Sequence, residues 1–198
     1  MKIKQNTASS GESARRKGPG AGLSLTLAAL FAALIAAGTF ISVPLPFSPV
    51  PVVMQNLFSL LAGLVLGPAL GAAAVGLYLA AGIIGAPVFA GASGGIARLL
   101  GPTGGFLLGY LFSALTAGLI AGPPQRGFPC RHLIPAIIAG LLVVYVPGLI
   151  RLYFALGSWG KALTAGFIPF ILGDAVKGCI AAFAAPRLRK LVADRGGR

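Results

Sequence analysis

An all-α integral membrane protein is the fold class this sequence predicts, and three observations carry that prediction. Of the 198 residues, 57% are hydrophobic and only 10% charged, with a mean hydropathy of +0.91, whereas a soluble domain carries about 25% charged residues. The apolar residues gather into six helix-like runs separated by Pro- and Gly-containing breaks. The charge lies mostly outside those runs, with ten of the sixteen Lys and Arg in the two tails. The net charge of +13 therefore describes tails that touch anionic headgroups and set topology. No basic, aromatic-interleaved surface exists to read bases, which excludes a nucleic-acid partner.

Each element follows from local chemistry. Residues 1–22 are polar and basic and read as a disordered tail. Residues 23–43 form the first span, too long for the apolar region of a signal peptide and so retained. The segment Pro44-Leu45-Pro46-Phe47-Ser48-Pro49-Val50-Pro51 is barred from helix by its four prolines. Residues 54–66 make the second helix, stopped by Gly67-Pro68, and 69–84 the third, ended by Gly85-Ala86-Pro87. Residues 91–105 are too broken to span and too apolar for an ordinary loop, so a re-entrant or pocket-covering segment is predicted between the third and fourth helices. The fourth helix covers 106–121, and a basic connector spans 122–131. The fifth helix covers 133–154, bent at Pro147-Gly148, and a connector occupies 157–166. The sixth helix covers 167–185 and is closed by Pro186, leaving 187–198 as a second basic tail around a six-helix domain at 23–186.

Six spans put both termini on one side. That side then holds twelve Lys and Arg against three on the other, a bias that makes both termini cytoplasmic in a multi-pass cell-membrane protein. Small residues recur every four positions at Gly63/Gly67/Gly71 and Gly101/Gly105/Gly109, a spacing that lets helices approach closely in lipid. The first helix carries two such stripes, Ala28/Ala32/Ala36 and Ala29/Ala33/Ala37. One suits packing inside the bundle and the other suits a partner within the membrane.

The chemistry is sparse. Asp174 is the sole acid inside a hydrophobic run, and Lys177 follows three residues later. Each costs roughly 2.5–3.5 kcal/mol at the centre of a spanning helix. On a helix they share a face, as a polar ligand site or as an ion pair that locks packing. Arg98 adds a third polar candidate, able to grip a carboxylate with two parallel bonds or to meet a headgroup. Phe89, Tyr110 and Trp159 are candidates to meet the ligand's apolar body, the Tyr and Trp also suiting an interfacial belt. Cys130 and Cys179 lack metal or redox spacing, His132 stands alone, and Gly160-Lys161 lacks the glycines and Ser/Thr of a phosphate loop. No metal, cofactor or catalytic group is expected, and the chain encodes no motor of its own.

Several stretches together resemble the BioY family, the biotin-specific substrate-binding (S) components of energy-coupling-factor (ECF) transporters. They are ALFAALIAAGTFI, PLPFSPVPVVMQNLFSLLAGLVLGPALGA, YLAAGIIGAPVFAG, GGIARLLGPTGGFLLGY and GDAVKG. The proline loop followed by Gln55, together with the GPTGG segment, is the most specific combination. The resemblance implies a six-helix transporter subunit, not an enzyme, that binds biotin from outside. It implies substrate contacts at Asp174, Lys177 and Arg98, and a lid formed by the loop with Pro44, Pro46, Pro49 and Pro51. It further implies docking through Ala29, Ala33 and Ala37, or the neighbouring stripe, onto an ECF coupling transmembrane subunit that works with two ATPase subunits. Biotin has ureido N–H donors, an apolar ring and a carboxylate, which suit one acid, an apolar pocket and a basic group. The residues leave open which end of biotin meets which charge, and whether the chain works with an ATPase module or alone. A capture subunit for thiamin or riboflavin is the alternative within the class, although a cationic ligand such as thiamin disfavours Lys177 and Arg98. A small membrane enzyme or channel is the alternative outside it, and neither a ring of charge nor a catalytic pair supports it.

Overall fold

The computed structural model describes residues 20–46, 48–123 and 130–196. The expectation of disorder before residue 20, and the middle of the 122–131 connector with Arg126, lie outside the described residues. Helix α1 (Ala21–Ala37) leads into a short antiparallel pair, β1 (Ser42–Val43) and β2 (Val52–Val53). Helices α2 (Gln55–Leu66), α3 (Pro68–Ile84), α4 (Ile96–Leu100) and α5 (Gly104–Ala121) follow. The chain ends with α6 (Cys130–Val143), α7 (Tyr145–Leu156), α8 (Trp159–Gly166), a 3₁₀ turn at Ile168–Phe170 and α9 (Ile171–Gly196). Three stretches, Gly104–Ala121, Arg131–Leu156 and Trp159–Asp194, are long and apolar enough to cross a membrane. Helices α1, α2 and α3 are equally apolar but shorter. The chain is a helical membrane protein.

Four departures from the sequence reading have physical causes. The first helix ends at Ala37 rather than 43, because Gly38 presses against α2, where an added Cβ would lie 2.9 Å from the Phe58 ring. The chain then pairs Ser42 with Val53 and Val43 with Val52, so the proline loop hangs from a two-rung ladder. The fifth helix breaks at Val144 instead of Pro147, since the proline has no N–H to offer the Val143 carbonyl one turn earlier. The 157–166 connector is largely helix α8. Finally, Pro186 does not close the last helix; α9 continues through it to Gly196. A membrane helix tolerates the single hydrogen bond that proline forfeits when neighbouring groups compensate.

Helix α2 is the axis of the bundle: every residue in it except Phe58 is buried, against α1, α3, α5 and α9. The glycine ladders explain how so many helices fit around it. A Cβ on Gly63 would sit 2.2 Å from the Ala114 carbonyl oxygen of α5, and one on Gly105 would sit 2.1 Å from that of Pro147. Gly67, at φ 83°, takes the left-handed turn that joins α2 to α3, with Pro68 opening the new helix.

Arg189 overturns its assignment to a headgroup-touching tail. It is only 3% exposed. Its guanidinium donates to the carbonyls of Leu64 (3.2 Å), Ala121 (3.3 Å), Gly122 (2.6 Å) and Pro123. The first two belong to the last turns of α2 and α5, where carbonyls have no intrahelical donor and the helix dipole favours a cation.

Two stability outcomes follow. Gly63→Ala should lower the thermal midpoint of the purified chain, with an overpacking cost of about 1–3 kcal/mol, whereas Gly76→Ala, with nothing within 4 Å of the added methyl, should not. Arg189→Met should strip donors from buried carbonyls at about 1–3 kcal/mol each, while Lys190→Met at the exposed neighbouring position should leave the midpoint within error.

Candidate functional site

The site forms where α2, α5, α7 and α9 meet beneath the proline loop. The loop is anchored rather than free. The Ser48 hydroxyl donates to the Ala165 carbonyl (2.6 Å) at the end of α8 and accepts the Val50 amide (3.0 Å). This pins Val50 inward, and Val50 and Val53 are both buried. Of the four lid prolines, Pro51 alone faces the site, while Pro44, Pro46 and Pro49 are exposed.

Asp174 and Lys177 are both buried and form an ion pair at 3.2 Å. Two residues that the sequence reading passed over complete the carboxylate. Asn56 Nδ2 of α2 donates to Oδ1 at 3.0 Å, and the Tyr145 hydroxyl of α7 donates to Oδ2 at 2.5 Å. Three donors from three helices thus hold one carboxylate, which is what a low-polarity interior requires of a charge. Among the described residues Asp174 is the one partner of Lys177, whose ammonium keeps two further N–H donors. Phe167 meets the Tyr145 ring edge-on at 4.8 Å and holds its orientation.

Two small voids, each of about 30 Å³, lie side by side under the loop. One is bounded by Asn56, Tyr145, Asp174 and Lys177, the other by Gln55, Phe89, Thr103 and Arg98. They share Val50, Pro51, Val53, Phe106 and Tyr110, so they form the two ends of one slot, pinched in the middle. Arg98 is therefore not beside Asp174 and Lys177 but at the opposite end. Each void accommodates roughly one water molecule, well short of the ~300 Å³ or more of a small-molecule site. Val50, Pro51 and Val53 border both voids from the loop side.

Arg98 is exposed, and its Nε donates to Ser93 Oγ (2.7 Å) and one terminal nitrogen to the Ala90 carbonyl (3.1 Å). It braces the turn between Phe89 and Ser93, which pair with each other across Gly91 and Ala92, both at positive φ. Phe89 fills the space beneath that turn and meets Tyr78 edge-on at 5.6 Å. Below lies a second buried network. Gln55 Nε2, with two N–H groups to share, lies within hydrogen-bond distance of Thr39 Oγ1, the Tyr78 hydroxyl (2.7 Å) and the Val88 carbonyl (3.0 Å). It ties the loop stem to α3 and to the braced turn. Of the aromatic candidates, Phe89 and Tyr110 line the slot, whereas Trp159 is half-exposed and stacks on Tyr153 at 4.6 Å, outside it.

The alanine stripes of α1 separate cleanly. Ala28 is buried and Ala32 and Ala36 partly so, while Ala29, Ala33 and Ala37 are all exposed. The polar groups at Gln55 and Asn56 sit side by side at the start of a helix whose one other polar side chain is Ser59, a signal that could have flagged Asn56. Tyr145 carried no comparable signal.

Comparison with known proteins places this architecture. The model of the BioY family matches residues 12–194. The biotin transporter BioY of Thermotoga maritima is 39% identical over 171 residues, covering 86% of this chain and 98% of that one. The probable biotin transporter BioY of Pyrococcus horikoshii is 43% identical over 165 residues, covering 83% of this chain and 95% of that one. Among solved structures, the S-component for biotin from an ECF-type ABC transporter superposes with a TM-score of 0.76 at 33% identity, covering 84% of this chain and 90% of its own. The family match runs over most of the chain and the relatives are covered nearly end to end, and the chain belongs to the BioY family.

Proposed function

We propose that this chain captures biotin from outside the cell and serves as the substrate-binding component of an ECF-type transporter. The observation that carries the reading is the slot itself: a triply held carboxylate and a lysine with spare donors at one end, Arg98 at the other, apolar and aromatic walls between, and the proline loop above. Biotin presents the complementary set of ureido donors, apolar sulfur ring and carboxylate. The relatives named as biotin transporters and the biotin S-component support the same ligand.

The topology consistent with this role has six spans, made of the three long apolar stretches and the three shorter helices, with both termini cytoplasmic. The proline loop and the 91–105 segment with α4 then cover the outer face of the slot. The exposed stripe Ala29/Ala33/Ala37 supports docking of α1 onto a coupling transmembrane subunit, since small residues permit close helix approach. Uphill transport requires an energy source, and two ATPase subunits acting through that coupling subunit would supply it. Asp174, Lys177, Asn56, Tyr110 and Tyr145 form the polar centre for substrate, Arg98 braces or contacts it at the far end, and Val50–Pro51 closes over it.

Equilibrium binding of labelled biotin to the purified full chain tests the ligand: saturable binding that neither thiamin nor riboflavin displaces is expected, and displacement by either reassigns the vitamin. Asp174→Ala and Lys177→Ala should each cost substantial affinity, because each leaves a buried charge without its partner. The double variant D174N/K177M separates a binding role from a packing role. Removing both charges together should restore thermal stability relative to the single variants, and biotin binding should stay absent; retained binding would mean the pair only locks the bundle. Tyr145→Phe removes one hydrogen bond to a charged group that is made without ligand, worth roughly 1.5–3 kcal/mol of stability, so the thermal midpoint of the purified chain should fall. Ser48→Ala releases the loop from α8 and should speed biotin dissociation in a stopped-flow chase.

A further inference from the structure

Behind the slot, on the outer surface of the bundle, α6 and α9 border a lateral groove of about 490 Å³. Its walls are apolar: Ile134, Ile138 and Leu142 on α6 face Ile171, Ala175 and Cys179 on α9. Its floor is Gly178, where an added Cβ would stand at contact distance, 3.4 Å, from Ile137 and Leu141. The inner end stops at Tyr145 and Asp174, the two residues whose hydrogen bond closes one end of the slot. The opposite end stops at Ile134 and Ala182. Two exposed cations lie beyond it: Arg131, three residues before Ile134, and Lys190, eight residues or about 12 Å after Ala182 and three turns from Cys179 along nearly the same line. The acid at that end, Asp194, is a further turn beyond Lys190.

We infer that this groove is a specific site for one anionic phospholipid, its acyl chain lying between α6 and α9 and its phosphate at Arg131 and Lys190. The volume lies within the range of small-ligand sites. The groove lies along the spanning stretches Arg131–Leu156 and Trp159–Asp194, so hydrocarbon is the medium it faces. Basic residues at the mouth of an apolar inter-helix groove recognise anionic headgroups, at about 1 kcal/mol per cation. A seated chain would complete the apolar wall behind the Asp174–Tyr145 bond. The site rests on the membrane placement of α6 and α9 alone, and it stands whether or not biotin is the transported ligand.

Native mass spectrometry of the full chain in detergent, offered equal amounts of phosphatidylglycerol and phosphatidylcholine, tests it directly. One phosphatidylglycerol should be retained per chain, in preference to phosphatidylcholine by about fivefold or more, the ratio that about 1 kcal/mol sets. The charge reversals R131E and K190E together, both at exposed positions, should bring that ratio to about one. Ala175→Phe, which fills the groove from an exposed position, should abolish the retained lipid while the chain elutes unchanged on gel filtration. Equal retention of the two lipids by the unaltered chain, or a preference indifferent to R131E/K190E, would overturn the site. A mass of two chains that Ala175→Phe reduces to one would overturn it as well and assign the groove to a second copy.

Discussion

A carboxylate buried among apolar helices must be satisfied from within the protein, and the organisation of this chain is built around doing so for Asp174. Its oxygens take hydrogen bonds from Asn56 on α2, Tyr145 on α7 and Lys177 on its own helix. Each donor comes with a demand of its own. Asn56 can reach only because α2 runs buried through the centre. Tyr145 can reach because Pro147 breaks the helix at Val144 and the ring is held by Phe167. Close approach of α5 to α2 and α7, permitted by Gly63, Gly105 and Gly109, brings Tyr110 and Phe106 to the same place. Desolvation of the charges is costly, and the geometry that offsets the cost is also the geometry of the slot.

The loop above the slot is governed by a different balance. Its prolines prevent helix and reduce the freedom it loses when it closes, and the two-rung β ladder fixes where it hangs. What closes it is modest: one serine hydroxyl bonded to a carbonyl of α8, and two valines and a proline seated on the aromatic walls. Gln55 and Arg98, by contrast, secure the stem and the neighbouring turn with several hydrogen bonds each. The frame around the slot is thus held by more hydrogen bonds than the loop above it.

Much of this was legible in the sequence, and the parts that were not share a reason. Local rules suffice for Asp174 and Lys177, because i and i+3 on a helix meet whatever the tertiary fold, and for the proline loop, because proline forbids helix anywhere. The boundaries of α2 and α3 came out within a residue, since Gly67-Pro68 and Gly85 are unambiguous breaks. Asn56 and Tyr145 lie 118 and 29 residues from Asp174, and no spacing rule connects them. Arg189 misled because a cation among other cations near the end of a span normally reaches water or headgroups; only the ends of α2 and α5 converging beneath it reveal its target. Helix α8 was hidden by the glycines that bound it and by its shortness, and α9 by a proline whose missing donor costs the helix a single bond. Arg98 was grouped with Asp174 and Lys177 but borders the other void, a separation that sequence order cannot express.

The two polar ties on α9 have a mechanical meaning. Asp174 fastens α9 to the beginning of α2, and Arg189 fastens it to the end, fifteen residues or about 22 Å further along the axis. A rod pinned to its neighbour at both ends can neither slide nor screw past it. Any large rearrangement during a transport cycle must therefore carry α2 and α9 together as one body. Local movement falls to segments held by fewer ties, such as the proline loop, whose link to α8 is the single Ser48–Ala165 hydrogen bond.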